Sequence, residues 1–397
     1  MNVLVLTSRL PYPPDRGDRL LALRMLEVLT KRHRVRLVSF VDGREPAGAL
    51  DCVRAIGIEV DVVSLPAPLS LLRTALALPS RTPLQVAYYQ SRRMARLVDR
   101  LASPGTFDAV IVQMSRMTPY GLRVPRARRI AFLCDSYGLS MRRRAAVESG
   151  LRRAVTLLEA RRIGAFEQEI ARRYDRTWLV SGADRAGFAP ALWDRIDIVP
   201  FGFPDALLDV PIERSGGNSL LFVGHLGVPH NVDSAIVLAR DVFPAIRARL
   251  PEATLRLVGA DPAPAVRALH APPGIVVTGF VQDLAAEYAA AHVFVAPLRF
   301  AAGVQTKIIE SLAAGLPVVT STIAAEGLGA LGDRDLVLAD DAAAMAEQTV
   351  ALLADAPRRR ELAERGRAFV RERFRWSNIL DALDRAVEGG AVAGNDG

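Results

Sequence analysis

Residues 299–321, RFAAGVQTKIIESLAAGLPVVTS, read as loop, helix, turn and strand, the repeating unit of a parallel α/β sheet. At 100° per residue, Ile308, Ile309, Leu312 and Ala313 fall on one helical face, and Lys307 and Glu310 on roughly the opposite one. The spacing predicts a helix buried on one side that offers a cation and a carboxylate on the other. Ahead of it, Gly303, Val304, Gln305 and Thr306 supply first-turn N–H groups without intrahelical partners, at the positive end of the helix dipole, so an anion is favoured there. A pyrophosphate meets these requirements. Lys307 adds a compact charge, and Glu310, one turn on, can accept hydrogen bonds from two neighbouring ribose hydroxyls. The same residues also describe an ordinary amphipathic helix with an i,i+3 ion pair. Composition adds an independent hint: of 51 basic residues only Lys31 and Lys307 are lysine. A lysine beside a glycine loop, in a chain so biased toward arginine, points to a place that suits a point charge on a flexible stem.

Working outward, 397 residues exceed what one core usually supports, and half of them are hydrophobic, so two domains are expected. No apolar run reaches the roughly 18 residues of a membrane span, and the opening run NVLVL (residues 2–6) has no basic stretch before it, so neither an anchor nor a signal peptide is expected. Cys52 and Cys134 each sit beside apolar residues and are expected to be buried, reduced thiols of a cytoplasmic protein. Charge is uneven: residues 1–200 hold 33 Arg and Lys against 19 Asp and Glu, whereas residues 201–397 hold 18 against 24. A basic half suggests an anionic partner, whether the cytoplasmic leaflet, a lipid phosphate or a nucleic acid. An aromatic content of 6% offers few stacking platforms and argues against single-stranded nucleic acid. The alternative is an arginine-rich chain decorating a solvated surface.

Short β-branched runs alternate with amphipathic stretches along the whole chain. Strands are predicted at Val3–Thr7, Val35–Phe40, Glu59–Ser64, Ala109–Val112, Arg129–Cys134, Thr177–Val180 and Ile196–Val199, with helices such as Arg19–Lys31 and Arg152–Arg173 between them. The rhythm repeats at Leu220–Val223, Thr254–Val258, Ile275–Thr278, Val293–Ala296, Pro317–Thr320 and Asp335–Leu338. The expected fold class is therefore α/β, with two doubly wound, Rossmann-like domains. The domains are placed at residues 1–200 and 219–375, separated by a linker over 201–218 that ends in Ser215, Gly216, Gly217 and Asn218. A C-terminal helix over 376–388, expected to return to the first domain, and a disordered tail over 389–397 complete the chain.

Three further motifs bear on ligand binding. Leu10 to Arg19 reads as a stiff, proline-rich loop before a helix that starts near Asp18, and Gly17 there lets backbone approach a phosphate or sugar; Arg16 and Arg19 also read as solvated charges. Gly224-His225-Leu226-Gly227 follows the first strand of the second half, where nucleotide loops occur in such sheets, and His225 is a candidate for a phosphate or sugar hydroxyl. Thr278 to Asp283 reads equally as a base-reading loop or a plain strand-to-helix turn. Asp333-Arg334-Asp335 mimics a metal-binding Asp-x-Asp, but no third ligand is in view and no metal is expected.

Taken together, these residues resemble family 4 of the retaining glycosyltransferases, with the GT-B fold of two doubly wound domains facing across a cleft. The resemblance spans nearly the whole chain and is strongest from Leu220 to Val319. Within it, the opening NVLVLTSRLPYPPDRGDRLLALRML, the stretch PHNVDSAIVLARDVFPAIRARLPEATLRLVGADP, and APLRFAAGVQTKIIESLAAGLPVV look like the sugar transferases of exosortase (PEP-CTERM) exopolysaccharide systems. It implies metal-independent transfer of a sugar from a nucleoside-diphosphate donor, a co-substrate rather than a cofactor, to a glycan or lipid-linked acceptor, by a cytoplasmic enzyme that can attach peripherally to the membrane's inner, anionic face. The family's Glu-x7-Glu pattern places its ribose-binding glutamate on Glu310 but its first glutamate on Ala302, and its Gly-Arg-x5-Lys phosphate motif falls on His225 and Asn231. Phosphate charge then rests on Lys307, the Gly303–Thr306 backbone and Arg299. The N-domain histidine of many members has no counterpart in Val112-Gln-Met-Ser115-Arg116. Lys307 is accordingly the catalytic candidate, with Asp135, just after the strand ending at Cys134, as the contact to an acceptor hydroxyl. Two alternatives stay open: a GT-B UDP-sugar 2-epimerase, and a non-catalytic nucleotide-binding scaffold of the same fold.

Overall fold

The computed structural model describes residues 1–14, 17–214, 216–329, 332 and 334–389. These form two units, one of residues 1–200 with residues 380–389, the other of residues 201–379.

In the first unit, seven runs rich in Val, Ile and Leu pair as β1 (Asn2–Thr7), β2 (Arg34–Val41), β3 (Glu59–Ser64), β4 (Ala109–Gln113), β5 (Arg128–Cys134), β6 (Arg176–Leu179) and β7 (Ile196–Ile198), in the order β3-β2-β1-β4-β5-β6-β7. Every ladder is parallel. All five residues of β4 are buried, as expected of a strand covered on both faces. The order reverses between β1 and β4, which leaves a crevice beyond their carboxyl ends. Helices of this unit include α1 (Gly17–Leu29), α2 (Ala67–Leu76), α3 (Arg92–Leu101), α4 (Tyr137–Val147) and α5 (Gly150–Arg173).

Helices α4 and α5 approach so closely that a Cβ on Gly138 would lie 2.8 Å from the Gly164 Cα, so glycine is needed at the crossing. Glu167 of α5 is fully buried there and accepts hydrogen bonds from the Tyr137 N–H (2.8 Å), the Gly138 N–H (3.2 Å) and the Ser136 hydroxyl (3.2 Å). Burial outweighs these bonds and pushes its carboxyl up to about 8. The folded chain therefore keeps a proton that the unfolded chain gives up above its ordinary value of 4.5, and stability falls as pH rises across that window. Glu167→Gln, which imitates the protonated form, is expected to remove this slope of up to about 1.4 kcal/mol per pH unit. Urea midpoints of both proteins at pH 5 and pH 8 check it; identical pH dependence would mean that Glu167 is ionised throughout.

The second unit repeats the design with β8 (Ser219–Val223), β9 (Thr254–Val258), β10 (Ile275–Gly279), β11 (Val293–Ala296), β12 (Val318–Thr320) and β13 (Val337–Leu338), all parallel, in the order β10-β9-β8-β11-β12-β13. Here the reversal lies between β8 and β11. The helices that matter to the site are α6 (Pro229–Val237) and α7 (Thr306–Ala313); α8 (Trp376–Glu388) carries the chain to the residues grouped with the first unit. Strand β12 begins at Val318 rather than Pro317, which has no N–H to give to a ladder.

Some composition-based expectations differ from the structure. Residues 201–214 and 216–218, read as a linker, belong to the second unit, where Phe203 is fully buried and Phe201, Leu207 and Val210 are also buried. Proline and glycine set the path of this stretch while its apolar residues anchor it. Cys52 is exposed, because the short helix Ala49–Arg54 turns Val53 inward instead; Cys134 is buried as expected. Ser215 and the tail beyond Gly389 lie outside the described residues. No helix among the described residues is long and apolar enough to cross a membrane.

Candidate functional site

In the second unit, the loops after β8 and β11 leave adjacent strands at the reversal point, so they bring the N-termini of α6 and α7 together. Arg299, in the β11 loop, grips Asp233 of α6 through both carboxylate oxygens, with its Nε 2.9 Å from Oδ2. The His230 ring meets Phe300 edge-on at 6.4 Å between centroids. Arg299 was expected to bind donor phosphate; its guanidinium fork is instead occupied by Asp233, and it braces the loop.

The β8 loop is shaped by Gly224, where a Cβ would come within 2.9 Å of the Asn231 side chain. Asn231 is 4% exposed and donates from Nδ2 to the His225 carbonyl at 3.1 Å, while its Oδ1 is buried without a hydrogen-bond partner among the described residues. The His225 ring lies 3.2 Å from Asp261 Oδ2 through Nε2, so it is held against a carboxylate rather than left open to an anion.

At α7, Gly303 turns the loop with a φ of 67°, a left-handed conformation that glycine adopts without strain, and no side chain caps the helix. Val304 and Gln305 are buried, and Thr306 is half-buried. Lys307 is only 7% exposed; its Nζ donates to Gln305 Oε1 at 2.8 Å, and Gln305 Nε2 donates to the Ala302 carbonyl at 3.1 Å. One turn on, Glu310 Oε2 accepts from the buried Tyr288 hydroxyl at 3.0 Å. The helical wheel placed Lys307 and Glu310 on an open face; the structure buries Lys307 and leaves Glu310 half-buried. The apolar side packs inward as read, but Gln305 and Tyr288 cover the polar side. Burial pulls the Lys307 amine down to about 7 despite the nearby Glu310 carboxylate. Burial likewise pushes Glu310 up to about 7, against the pull of the Tyr288 hydroxyl and Lys307. His230 is lowered to about 3, first by burial and then by Lys307, and so is neutral at physiological pH. His230, Tyr288 and Asn231 were not singled out as site residues in the sequence. The signal for the first was its position one residue after Pro229, at a helix start behind a glycine loop.

The first unit has a polar cluster at its own reversal point. Asp18, at the start of α1, takes Arg9 Nη1 at 3.0 Å and Arg116 Nη2 at 3.7 Å, and its carbonyl accepts from Gln113 Nε2 at 2.7 Å. Gly17 is the first residue of α1, so its backbone belongs to this crevice. Asp135 follows β5, and burial raises its carboxyl to about 6, partly offset by Arg116. Met114 and Cys134, beside the ends of β4 and β5, have φ of 71° and 70°, which side-chain-bearing residues adopt at a cost and which tends to occur at functional crevices. Arg16 and Asp333 lie outside the described residues. Asp335 is held by the Arg334 guanidinium at 3.0 and 2.9 Å. Among the described residues no three His, Cys, Asp or Glu side chains are grouped to hold a metal. Asp283 caps the helix after the Thr278–Asp283 loop by accepting from the Ala286 N–H at 3.0 Å, which fits a plain strand-to-helix turn.

Residues 217–355 match the family model described as glycosyl transferases group 1. No curated protein matches the chain. Among solved structures, sucrose-phosphate synthase from Thermosynechococcus elongatus aligns over 98% of both chains with a TM-score of 0.71 and 17% identity. HepE of Anabaena, solved with UDP and glucose, aligns over 97% of this chain and 99% of its own with a TM-score of 0.69 and 15% identity. TarM aligns over 98% of this chain and 99% of its own, at 0.70 and 8%. The two parallel-sheet units and these likenesses show the GT-B fold class expected from the sequence, and with the family match they support a glycosyltransferase.

Proposed function

We propose that the chain is a retaining, metal-independent glycosyltransferase that takes a nucleoside-diphosphate sugar and passes the sugar to a glycan or lipid-linked acceptor in exopolysaccharide synthesis. The observation that carries this reading is the meeting, at the β8/β11 reversal, of an uncapped α7 N-terminus with Lys307 and Glu310. Diphosphate oxygens would take first-turn N–H groups and draw the Lys307 ammonium from Gln305 Oε1, while Glu310 would accept from ribose hydroxyls. HepE binding UDP-glucose supports a donor of this chemical class. As the bond from the sugar C1 to the diphosphate breaks, an acceptor hydroxyl attacks on the same face. Its proton passes to the departing phosphate oxygen, so no side-chain base is required. Lys307 meets the charge that builds on the leaving group, and Asp135 is the proposed acceptor contact. The division into two domains near residue 200 is part of this proposal.

The test is a thermal-shift series with nucleotide sugars, followed by product analysis with a membrane extract as acceptor source. A donor that binds the native state raises the melting temperature. Transfer to acceptor supports the reading, an isomerised donor sugar points to the epimerase, and tight binding without sugar release points to the scaffold. Glu310→Ala is expected to weaken nucleotide binding roughly 10- to 100-fold, the worth of hydrogen bonds to a charged group. Undiminished affinity by calorimetry would remove Glu310 from the site.

A further inference from the structure

Helix α2 reads APLSLLRTAL, yet the only residue it buries is Ser70. Leu69, Leu72 and Leu76 share one face by helical spacing and are 43%, 55% and 71% exposed. The first turns of α5 repeat the pattern: Leu151, Val155 and Leu158, at i, i+4 and i+7, are 81%, 52% and 51% exposed, although the opposite side of that helix packs through Ile163 and Glu167. Arg162 of α5 donates to the Leu78 carbonyl just past α2, and Glu159 accepts from the Leu84 N–H at 2.5 Å, so the two stripes belong to one region of the first unit. Water-facing apolar stripes on this scale mark a surface with a partner.

Charge says which partner. Beside α2 lies a cavity of about 710 Å³ whose lining includes Arg73, Arg92, Arg93, Arg96 and Arg116 and no Asp or Glu. None of Arg73, Arg92, Arg93 and Arg96 forms an ion pair among the described residues. Arg116 is paired with Asp18, and the carboxylates that line the adjoining hollow are committed elsewhere: Asp61 to Arg36, and Asp99 to Arg123. Apolar side chains flanked by unpaired arginines suit the interface of a bilayer, where leucines enter the acyl boundary and guanidiniums meet phosphate.

We propose that the leucine stripes of α2 and α5 seat this protein on an anionic lipid bilayer, with lipid phosphates entering the arginine-lined cavity beside α2. This assignment does not depend on the donor site. Its test is vesicle flotation of the full chain, using phosphatidylcholine alone and phosphatidylcholine with a third of the lipid replaced by phosphatidylglycerol. The protein is expected to float with the anionic vesicles and not the neutral ones, and to be released by salt. A Leu72→Gln, Leu76→Gln, Leu151→Gln variant and a separate Arg73→Gln, Arg92→Gln, Arg93→Gln, Arg96→Gln variant are each expected to bind at least tenfold more weakly. These positions lie largely at the surface, so both variants are expected to keep the parent melting temperature and the parent response to a nucleoside diphosphate. Equal binding to both vesicles, no binding, or binding that survives either variant overturns the proposal. So does a wild-type dimer that the leucine variant converts to monomer without any vesicle binding, since the face would then belong to a second copy. Flotation without any nucleotide response would leave this surface standing and the donor site refuted.

Discussion

Lys307→Ala is expected to cut the rate of sugar transfer roughly 10²- to 10³-fold, the usual loss when one preorganised contact to developing charge is removed. The argument starts from burial: at 7% exposure Lys307 has little water to replace phosphate, and Gln305 Oε1 is the acceptor that holds its ammonium at 2.8 Å. A buried charge held by a neutral amide oxygen is poorly satisfied, and in the proposed reaction a leaving diphosphate would satisfy it. Turnover should therefore fall far more than donor affinity, because the charge on the leaving group grows only as the bond breaks. Lys307→Arg is not expected to rescue, since a planar fork does not fit where a compact ammonium is enclosed. With the amine held near 7 by burial, the ligand-free site loses its proton as pH rises through that value, and a bound diphosphate must restore it. Donor binding above pH 7 should accordingly take up a proton, visible as a dependence of the calorimetric heat on buffer ionisation enthalpy. Unchanged turnover of Lys307→Ala on a donor that wild type uses would remove Lys307 from the chemistry.

Gly259→Ala is expected to destabilise the second unit by about 3 kcal/mol or more, through a forced overlap of backbone with side chain. Gly259 follows β9 with a φ of 151°, a conformation that alanine rarely adopts, and a Cβ there would overlap the Gly224 carbonyl oxygen. Neither group is free to move. The Gly224 N–H is bonded to the Val258 carbonyl at 3.0 Å, and the Gly259 N–H to the Gly279 carbonyl at 2.9 Å. Relief would have to shift the β8 loop, which carries the His225 carbonyl that Asn231 holds at 3.1 Å. Loss of stability and loss of nucleotide response are thus expected together. Gly216→Ala serves as the control: a Cβ there meets nothing within 4 Å, and the substitution should be neutral or slightly stabilising. Equal chemical-denaturation midpoints for the two variants would show that the close approach at Gly259 is not real.

Strand placement followed from side-chain chemistry that acts locally. Runs such as AVIV (residues 109–112) and VFVA (residues 293–296) are apolar throughout because both faces of a parallel strand are covered, and that pattern is written in consecutive residues. The alternation of such runs with amphipathic stretches carried the fold class, and the loop, helix and strand of residues 299–321 are where the proposed donor site lies. What the pattern did not carry is which polar side chains become enclosed. Helical spacing turned Lys307 and Glu310 away from the core, but Tyr288, Gln305 and His230 approach them from a preceding helix, the helix cap and the first turn of α6, and their approach depends on the order of strands in the sheet. Arg299 read as a phosphate ligand until Asp233, 66 residues earlier, filled its fork. The leucines of α2 are left in solvent, because Ser70 takes the one inward position. Sequence by itself determined the elements, their α/β alternation and the presence of an uncapped helix beside a lysine, since these rest on periodicity and local hydrogen bonding. Tertiary structure alone decided burial, and with it the charge state of Lys307 and Glu310 and the identity of the exposed apolar face. Desolvation is set by groups distant in sequence, and no local period records their arrival.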